Sequence, residues 1–152
     1  MSTIEKVKQK FGDKIAIEER KPRRIYISAP AELAGEVVTY LVRDQKGRLS
    51  TLTGVDTPIG IELLYHVALD KEGVVITVRT LAHKPELRIA SITPQVPAAN
   101  WVEREVHEML GVEFVGHPKM ETLLLPDDWP PNVYPLRKQT FESMKENEER
   151  EN

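Results

Sequence analysis

The chain has 152 residues, 40% apolar and 30% charged, which is enough to close one hydrophobic core beneath a heavily charged surface. It contains no cysteine, which excludes disulfides, thiolate catalysis and the usual ligands of iron–sulfur clusters. The longest charge-free run, Ile89–Val102, is 14 residues long. A membrane span needs roughly 20 apolar residues, so none is expected. The opening residues, Met1–Lys6, lack the apolar stretch of a secretory leader.

The net charge of −3 is distributed unevenly along the chain. Residues 1–24 carry eight basic and four acidic side chains, whereas residues 142–152 carry five glutamates against two basic side chains. No stretch combines basic and aromatic residues in the way that nucleic-acid surfaces do. We therefore expect no nucleic-acid partner.

The first residues predict a helix followed by two short strands. Ser2 and Glu5 have the spacing of a capping box, and Gly12 is placed to end the helix. Strands are predicted at 14–18 and 24–28, on either side of a charged turn.

A second helix and three further strands are predicted next. Pro30 suits a first helical position, and the apolar spacing continues to about residues 44–47. Strands are predicted at 48–55, 59–69 and 74–81. This order indicates an α+β fold with an antiparallel sheet and helices packed on one face.

The sequence changes character after Pro85. A third helix, Trp101–Leu110, is predicted with Asn100 as its cap and Gly111 as its end. The stretch from Gly111 to Lys138 holds five prolines, and an irregular segment of this length is uncommon unless it binds something.

Three regions follow from these patterns. Residues 1–92 form the α+β domain. Residues 93–138 add the third helix and a proline-rich, extended C-terminal arm to the same domain. Residues 139–152 form a charged tail that is expected to fray.

One carboxylate falls in the apolar stripe of the third helix. At about 100° per residue, Glu105 lies between apolar positions and would need a cation. Arg88, Arg137 and Lys138 are candidates for a structural ion pair. A contact with a partner protein is the second interpretation, and a catalytic acid is the least favoured, because no second carboxylate or nucleophile accompanies it.

The third helix and the following loop resemble the signature of the 30-kilodalton subunit family of respiratory complex I. That signature reads E-R-E-x-x-D-[ML]-[FY]-G-[IV], then G-H-P, and closes with P-L-R-K. Glu108 stands here for the usual Asp, and Leu110 for the usual aromatic residue. The matching residues are Glu103, Arg104, Glu105, Met109, Gly111, Val112, Gly116, His117, Pro118 and the run Pro135-Leu136-Arg137-Lys138.

A departure from complex I proper points to one branch of the family. The segment Leu125–Pro135 is similar to that of the shorter homologues in membrane-bound, energy-converting nickel–iron hydrogenases. The resemblance implies a non-catalytic, cofactor-free subunit that docks on and stabilises a hydrogenase large-subunit homologue. Its partners would be that chain, iron–sulfur small subunits and ion-pumping membrane subunits, at the cytoplasmic face of the membrane. The nickel–iron centre and the clusters would lie in those partners.

Two alternatives stay open. The nearer one is the equivalent subunit of a complex I-type quinone reductase or a sulfur-reducing relative. The remote one is a free-standing enzyme that uses Glu105 with His107 or His117, although no organised site is visible. Trp101 is expected in the core and Trp129 at a partner contact.

No metal site is expected. The four histidines are scattered along the chain, and metal centres need several ligands on one patch. They are His66, His83, His107 and His117.

Overall fold

The computed structural model describes residues 1–151 and, within helix α4, leaves out the side chains of 141, 144 and 147. The helices are α1 (Thr3–Phe11), α2 (Ala31–Thr39), α3 (Ala99–Leu110) and α4 (Lys138–Glu151), with a 3-10 turn at Gly12–Lys14 and a π-turn at Tyr40–Asp44. The strands are β1 (Ala16–Lys21), β2 (Arg24–Ser28), β3 (Arg48–Thr57), β4 (Gly60–Leu69), β5 (Val74–His83), β6 (Arg88–Ala90) and β7 (Glu113–Val115). No helix of the described residues is long and apolar enough to cross a membrane.

Local signals explain where several elements begin and end. Ser2 and Glu5 form the predicted capping box, and the chain leaves α1 at Gly12. Helix α2 begins directly after Pro30, which is its N-cap rather than the predicted first helical residue. Helix α3 ends at Gly111 in the left-handed conformation. The capping box and the two helix ends at glycine are confirmed, because each depends on neighbouring residues only.

The main sheet has the order β1-β2-β5-β4-β3 and is mostly, but not wholly, antiparallel. The strands β2 and β5 pair in parallel, with Arg24 opposite Val75 and Ser28 opposite Arg79. The expected antiparallel sheet is therefore confirmed in part, with one parallel pair of strands that the sequence did not predict. Helix α2 and the β3–β4 hairpin separate β2 from β5 along the chain, which gives the crossover that parallel strands require.

One face of this sheet forms the core. Ile27, Leu63, Tyr65, Ile76 and Val78 alternate along the central strands and are fully buried. Both α2 and α3 pack over this face. The alternate side chains, such as Glu62 and His66, lie on the opposite face and remain partly exposed.

Three elements were not predicted. The short strand β6 precedes α3 in the sequence and β7 follows it. The two strands pair in parallel. Residues 138–151 form helix α4, whereas the sequence predicted a fraying charged tail. The predicted proline-rich, extended C-terminal arm is not confirmed. Residues 116–137 have no helix or strand, but they turn back onto α3 through the contacts given below.

Candidate functional site: the third helix and the segment that covers it

Helix α3 packs closely on β3 because Gly54 leaves room for it. A Cβ atom at Gly54 would lie 2.4 Å from Leu110 Cδ1 and 3.4 Å from Val106 Cγ1. The helix begins at Ala99 without a side-chain cap, so the predicted capping by Asn100 is wrong. The Glu103 carboxylate is engaged by the chain that precedes the helix.

The predicted burial of the helix is also wrong in three respects. Trp101 is 66% exposed rather than in the core, and Glu105 is exposed rather than in an apolar stripe. Glu103 and Glu108 are the buried carboxylates, at 0% and 7% exposure. The helical wheel assumes a single buried face. Here one side of α3 lies on the sheet, and other sides are covered by residues 91–93 and by residues 116–137, which we call the covering segment.

Glu103 accepts hydrogen bonds from the segment Ser91–Thr93. Its Oε1 accepts from Ser91 Oγ at 2.7 Å, from the Thr93 backbone N–H at 3.2 Å and from Thr93 Oγ1. Its Oε2 accepts from the Ile92 N–H at 3.3 Å. Burial raises the pKa of Tyr65, and the nearby Glu103 charge raises it further, so the phenol stays neutral. The buried Glu103 side chain therefore holds residues 91–93, which precede α3 in the sequence, against the helix.

Glu108 and Arg104 hold the covering segment against the helix. Glu108 accepts hydrogen bonds from the backbone N–H groups of Leu123 and Leu124, the latter at 2.8 Å. Arg104 donates to two backbone carbonyls of residues 121–122, each at 3.0 Å, and its guanidinium lies over the Trp101 ring. The irregular backbone of the segment thus finds its hydrogen-bond partners in α3 side chains.

Arg137 closes the C-terminal end of α3. Its Nε donates to the Leu110 carbonyl at 2.7 Å, where a cation is favoured by the helix dipole, and its guanidinium stacks on Tyr134. The adjacent Leu136 N–H donates to the Met109 carbonyl at 3.0 Å. Gly111 lies directly beneath, where a Cβ atom would be 2.2 Å from the Arg137 guanidinium.

His117 shapes the turn that leads into the covering segment. Its Nε2 donates to the Asn100 carbonyl at 3.2 Å, and its Nδ1 accepts from the Lys119 N–H at 3.1 Å. Gly116 precedes it with φ +88°, a conformation that favours glycine, and Pro118 follows. These contacts place His117 within the turn between β7 and the rest of the covering segment.

The predicted ion pair of Glu105 is absent among the described residues. Arg88 pairs with Glu113 at 3.0 Å, and Arg137 serves the helix end. The Lys138 backbone N–H donates to Asp56, not to Glu105. The interpretation of Glu105 as half of a structural ion pair is therefore wrong for the described residues.

Trp129 is anchored within the covering segment. Its ring is half-buried, and Nε1 donates to the Val133 carbonyl at 2.8 Å. Pro135 and Leu136 follow, and Leu136 is 62% exposed. Within the described part of the chain, no three histidine or carboxylate side chains are placed to hold a metal ion.

Asp56, which sequence reasoning missed, joins three distant parts of the chain. Its Oδ1 lies 2.7 Å from Lys84 Nζ, and its Oδ2 accepts from the Lys138 N–H at 3.0 Å. Burial by itself raises the pKa of Asp56. The Lys84 and Lys138 hydrogen bonds, with the charges of Lys84 and Arg137, outweigh it, so the net pKa is lowered.

The lowered pKa of Asp56 predicts a pH-dependent contribution to folding. The folded pKa lies below the unfolded value of about 3.9, so the stabilisation is complete above that pH and is lost as pH falls through the folded pKa. Asp56→Asn should lower the free energy of unfolding by about 1–2 kcal/mol at pH 7. Urea denaturation should show this gap closing below about pH 4. Asp70→Asn, which removes the exposed pair with Arg48, is the control and should cost below about 1 kcal/mol. A gap that persists unchanged to pH 2 would contradict the prediction.

The chain belongs to the family described as respiratory-chain NADH dehydrogenase, 30 Kd subunit, whose model matches residues 27–146. The match includes α3, the covering segment and the start of α4. It confirms the resemblance drawn from the signature residues.

Curated relatives come from several oxidoreductase complexes. The chain is 38% identical over 142 residues to hydrogenase-4 component G of Escherichia coli (strain K12), with 90% of this chain and 25% of the relative covered. It is 43% identical over 113 residues to formate hydrogenlyase subunit 5 of the same organism, with 70% and 20% covered. It is 36% identical over 141 residues to a subunit of the F(420)H(2) dehydrogenase of Methanosarcina mazei, with 89% and 87% covered. The chain thus spans a quarter or less of the two hydrogenase relatives.

Two solved structures share the fold. The structure of the membrane-bound sulfane sulfur reductase, an archaeal respiratory membrane complex, contains a chain that is 26% identical with a TM-score of 0.82, and the match covers 96% of this chain and 89% of that one. The trypsin-resistant fragment of Nqo5 is 23% identical with a TM-score of 0.64, and 76% and 95% are covered. The family is therefore one of accessory subunits of multi-subunit oxidoreductase complexes of the hydrogenase or complex I type, rather than of enzymes that act alone.

Proposed function

We propose that this chain is a cofactor-free, peripheral-arm subunit of a membrane-bound nickel–iron hydrogenase complex, which couples hydrogen evolution to ion translocation. It docks on the large catalytic subunit through α3 and the covering segment, on the cytoplasmic side of the membrane. The nickel–iron centre and the iron–sulfur clusters belong to partner subunits. The observation that carries the proposal is the exposed signature surface of α3, where Trp101 and Glu105 have solvent-facing side chains.

The energetics of this surface favour a protein partner. Trp101 exposes 66% of its surface beside the Arg104 guanidinium, and Leu124 on the covering segment exposes 59%. Tryptophan and arginine are the residue types that contribute most at protein interfaces. Glu105 has no ion-pair partner among the described residues and adds a fixed charge next to this apolar surface. A rigid helix presenting an aromatic anchor and a free carboxylate is suited to docking rather than to catalysis.

The lengths of the relatives support a large partner chain. The same domain makes up most of the F(420)H(2) dehydrogenase relative but only 20–25% of the two hydrogenase relatives. The domain therefore occurs both on its own and joined to a much longer polypeptide. A domain that is covalently joined to a partner in one complex is expected to contact the equivalent partner when the two are separate.

A second candidate is a complex of the sulfur-reducing type. The chain of the sulfane sulfur reductase covers almost the whole length of this one with a TM-score of 0.82. In that case the docking surface would be the same, and the large subunit would lack the nickel–iron centre.

Affinity capture of the tagged chain from detergent-solubilised membranes tests the proposal. We expect a large subunit and iron–sulfur subunits in the captured material, with nickel in the large subunit. Iron without nickel would favour the sulfur-reducing candidate. Recovery of the free monomer alone would contradict both.

Matched variants test the docking surface itself. Trp101→Ala should reduce recovery of the large subunit by about tenfold, as loss of an interface anchor does. Ile59→Ala is the control, because Ile59 has nearly the same exposure, 65%, and lies at the β3–β4 turn outside the site. Equal recovery with the two variants would rule out α3 as the docking helix.

A further inference from the structure

A cleft of about 250 Å³ lies between α3 and the covering segment. The residues that line it include Trp129, Tyr134, Glu108, Glu121 and Asp127, and no lysine or arginine lines it. Pockets that hold whole small molecules usually occupy roughly 300–1,000 Å³, so this cleft is small for a cofactor. It has room for one long side chain.

Two of the three acidic residues that line the cleft, Glu108 and Asp127, have no counter-charge among the described residues. Glu108 is only 7% exposed, and both of its oxygens accept backbone N–H groups, yet no cation among the described residues lies within ion-pair distance. Asp127 has no ion pair in this part of the chain either, whereas Glu121 pairs with Lys119 at the surface. The two backbone N–H groups satisfy the hydrogen bonding of Glu108 but do not neutralise its negative charge, so an external cation would be stabilised here.

The nearby cations are already engaged elsewhere. Arg104 binds the backbone of residues 121–122, and Arg137 stacks on Tyr134 and binds the Leu110 carbonyl. Trp129 lines the cleft, its Nε1 is used by Val133, and no described cation lies over its ring. An aromatic ring beside carboxylates is the environment that a guanidinium prefers, since it can stack and form hydrogen bonds at once.

We propose that this cleft receives an arginine side chain of the large partner subunit, with the guanidinium near Asp127 and Glu108 and against Trp129. This inference rests on the proposed docking function. The cleft is a second contact, separate from Trp101, and fixes the orientation of the docked partner.

The test measures recovery of the complex by affinity capture at increasing salt. Asp127→Asn removes a carboxylate from the cleft with little change in shape, and Asp128→Asn is the matched control, because Asp128 is exposed and does not line the cleft. We expect about tenfold lower recovery of the large subunit with Asp127→Asn, a weaker dependence on salt, and less than about twofold change with Asp128→Asn. Trp129→Leu should reduce recovery to a similar degree.

The outcomes separate the two proposals. If the wild-type chain captures no partner, the docking function itself fails. A second outcome is that the wild-type chain captures the large subunit, and that Asp127→Asn and Trp129→Leu recover as much of it as the Asp128→Asn control. In that case the docking function stands, and the binding of a partner arginine in the cleft is refuted.

A direct probe uses the isolated full chain. The sequence has two tryptophans, so Trp101→Phe leaves Trp129 as the sole indole fluorophore. Acetylarginine amide should change its fluorescence, whereas the neutral acetylcitrulline amide should not. An equal response to both compounds, or a response to neither, would overturn the assignment of a guanidinium.

Discussion

Glu103→Ala is expected to lower the free energy of unfolding by about 3–5 kcal/mol, the largest loss that we predict for a single substitution. The change removes the acceptor of two hydroxyl and two backbone N–H donors in the buried stretch 91–93. Each buried donor that loses its partner costs about 1–3 kcal/mol, and partial rehydration reduces the sum. Urea denaturation monitored by circular dichroism measures the loss.

Two companion variants make this prediction specific. Glu103→Gln keeps the shape but turns an NH₂ group toward a backbone N–H, so we expect a smaller loss of about 1–3 kcal/mol. Glu105→Ala changes an exposed carboxylate on the same helix and should stay within about 0.5 kcal/mol. If Glu103→Ala and Glu105→Ala have equal stability, the Glu103 network does not support the fold.

Gly111→Ala should cost about 2–4 kcal/mol, because two separate effects coincide at this position. The backbone has φ +79°, which costs an L-residue about 1–2 kcal/mol. The added Cβ atom would also lie 2.2 Å from the Arg137 guanidinium and 2.7 Å from the Tyr134 ring, and overpacking of this kind costs about 1–3 kcal/mol. Displacing Arg137 would open the C-terminal end of α3.

Gly73→Ala separates the two effects. Gly73 has a similar φ of +65°, and nothing lies within 4 Å of the position of its Cβ atom. It should therefore show the backbone strain alone, about 1–2 kcal/mol. Thermal or urea unfolding measures the loss of unfolding free energy for both variants, and the difference between the two losses is the packing contribution at Gly111. Equal losses would show that Arg137 and Tyr134 move aside without an energetic penalty.

The helical wheel of α3 shows why sequence reasoning failed at the site. It places Glu105 among apolar positions and Glu103 and Glu108 on the polar side, yet the latter two are buried. Their burial depends on residues 91–93 and 121–124, which are distant in sequence and carry no helical period. The acidic character of Glu103 and Glu108 does not reveal whether they are buried, because a carboxylate is stable inside a protein when enough hydrogen-bond donors surround it.

The sequence by itself determined the elements whose signals are local. The capping box at Ser2 and Glu5, the stop at Gly12, the hairpin at 70–73 and the left-handed end of α3 at Gly111 all depend on residues within a few positions. The signature residues determined the family in the same way, since they form a dense local pattern that its model matches.

The tertiary structure alone decided the contacts between distant residues. The parallel pairing of β2 with β5 joins strands about 50 residues apart, and the bonds of Asp56 join β3 to Lys84 and to the start of α4. The covering segment has no periodic pattern, so its path follows from its bonds to Arg104, Glu108 and α3 backbone carbonyls. Such contacts depend on where the whole chain places its donors and acceptors, and no local pattern carries that information.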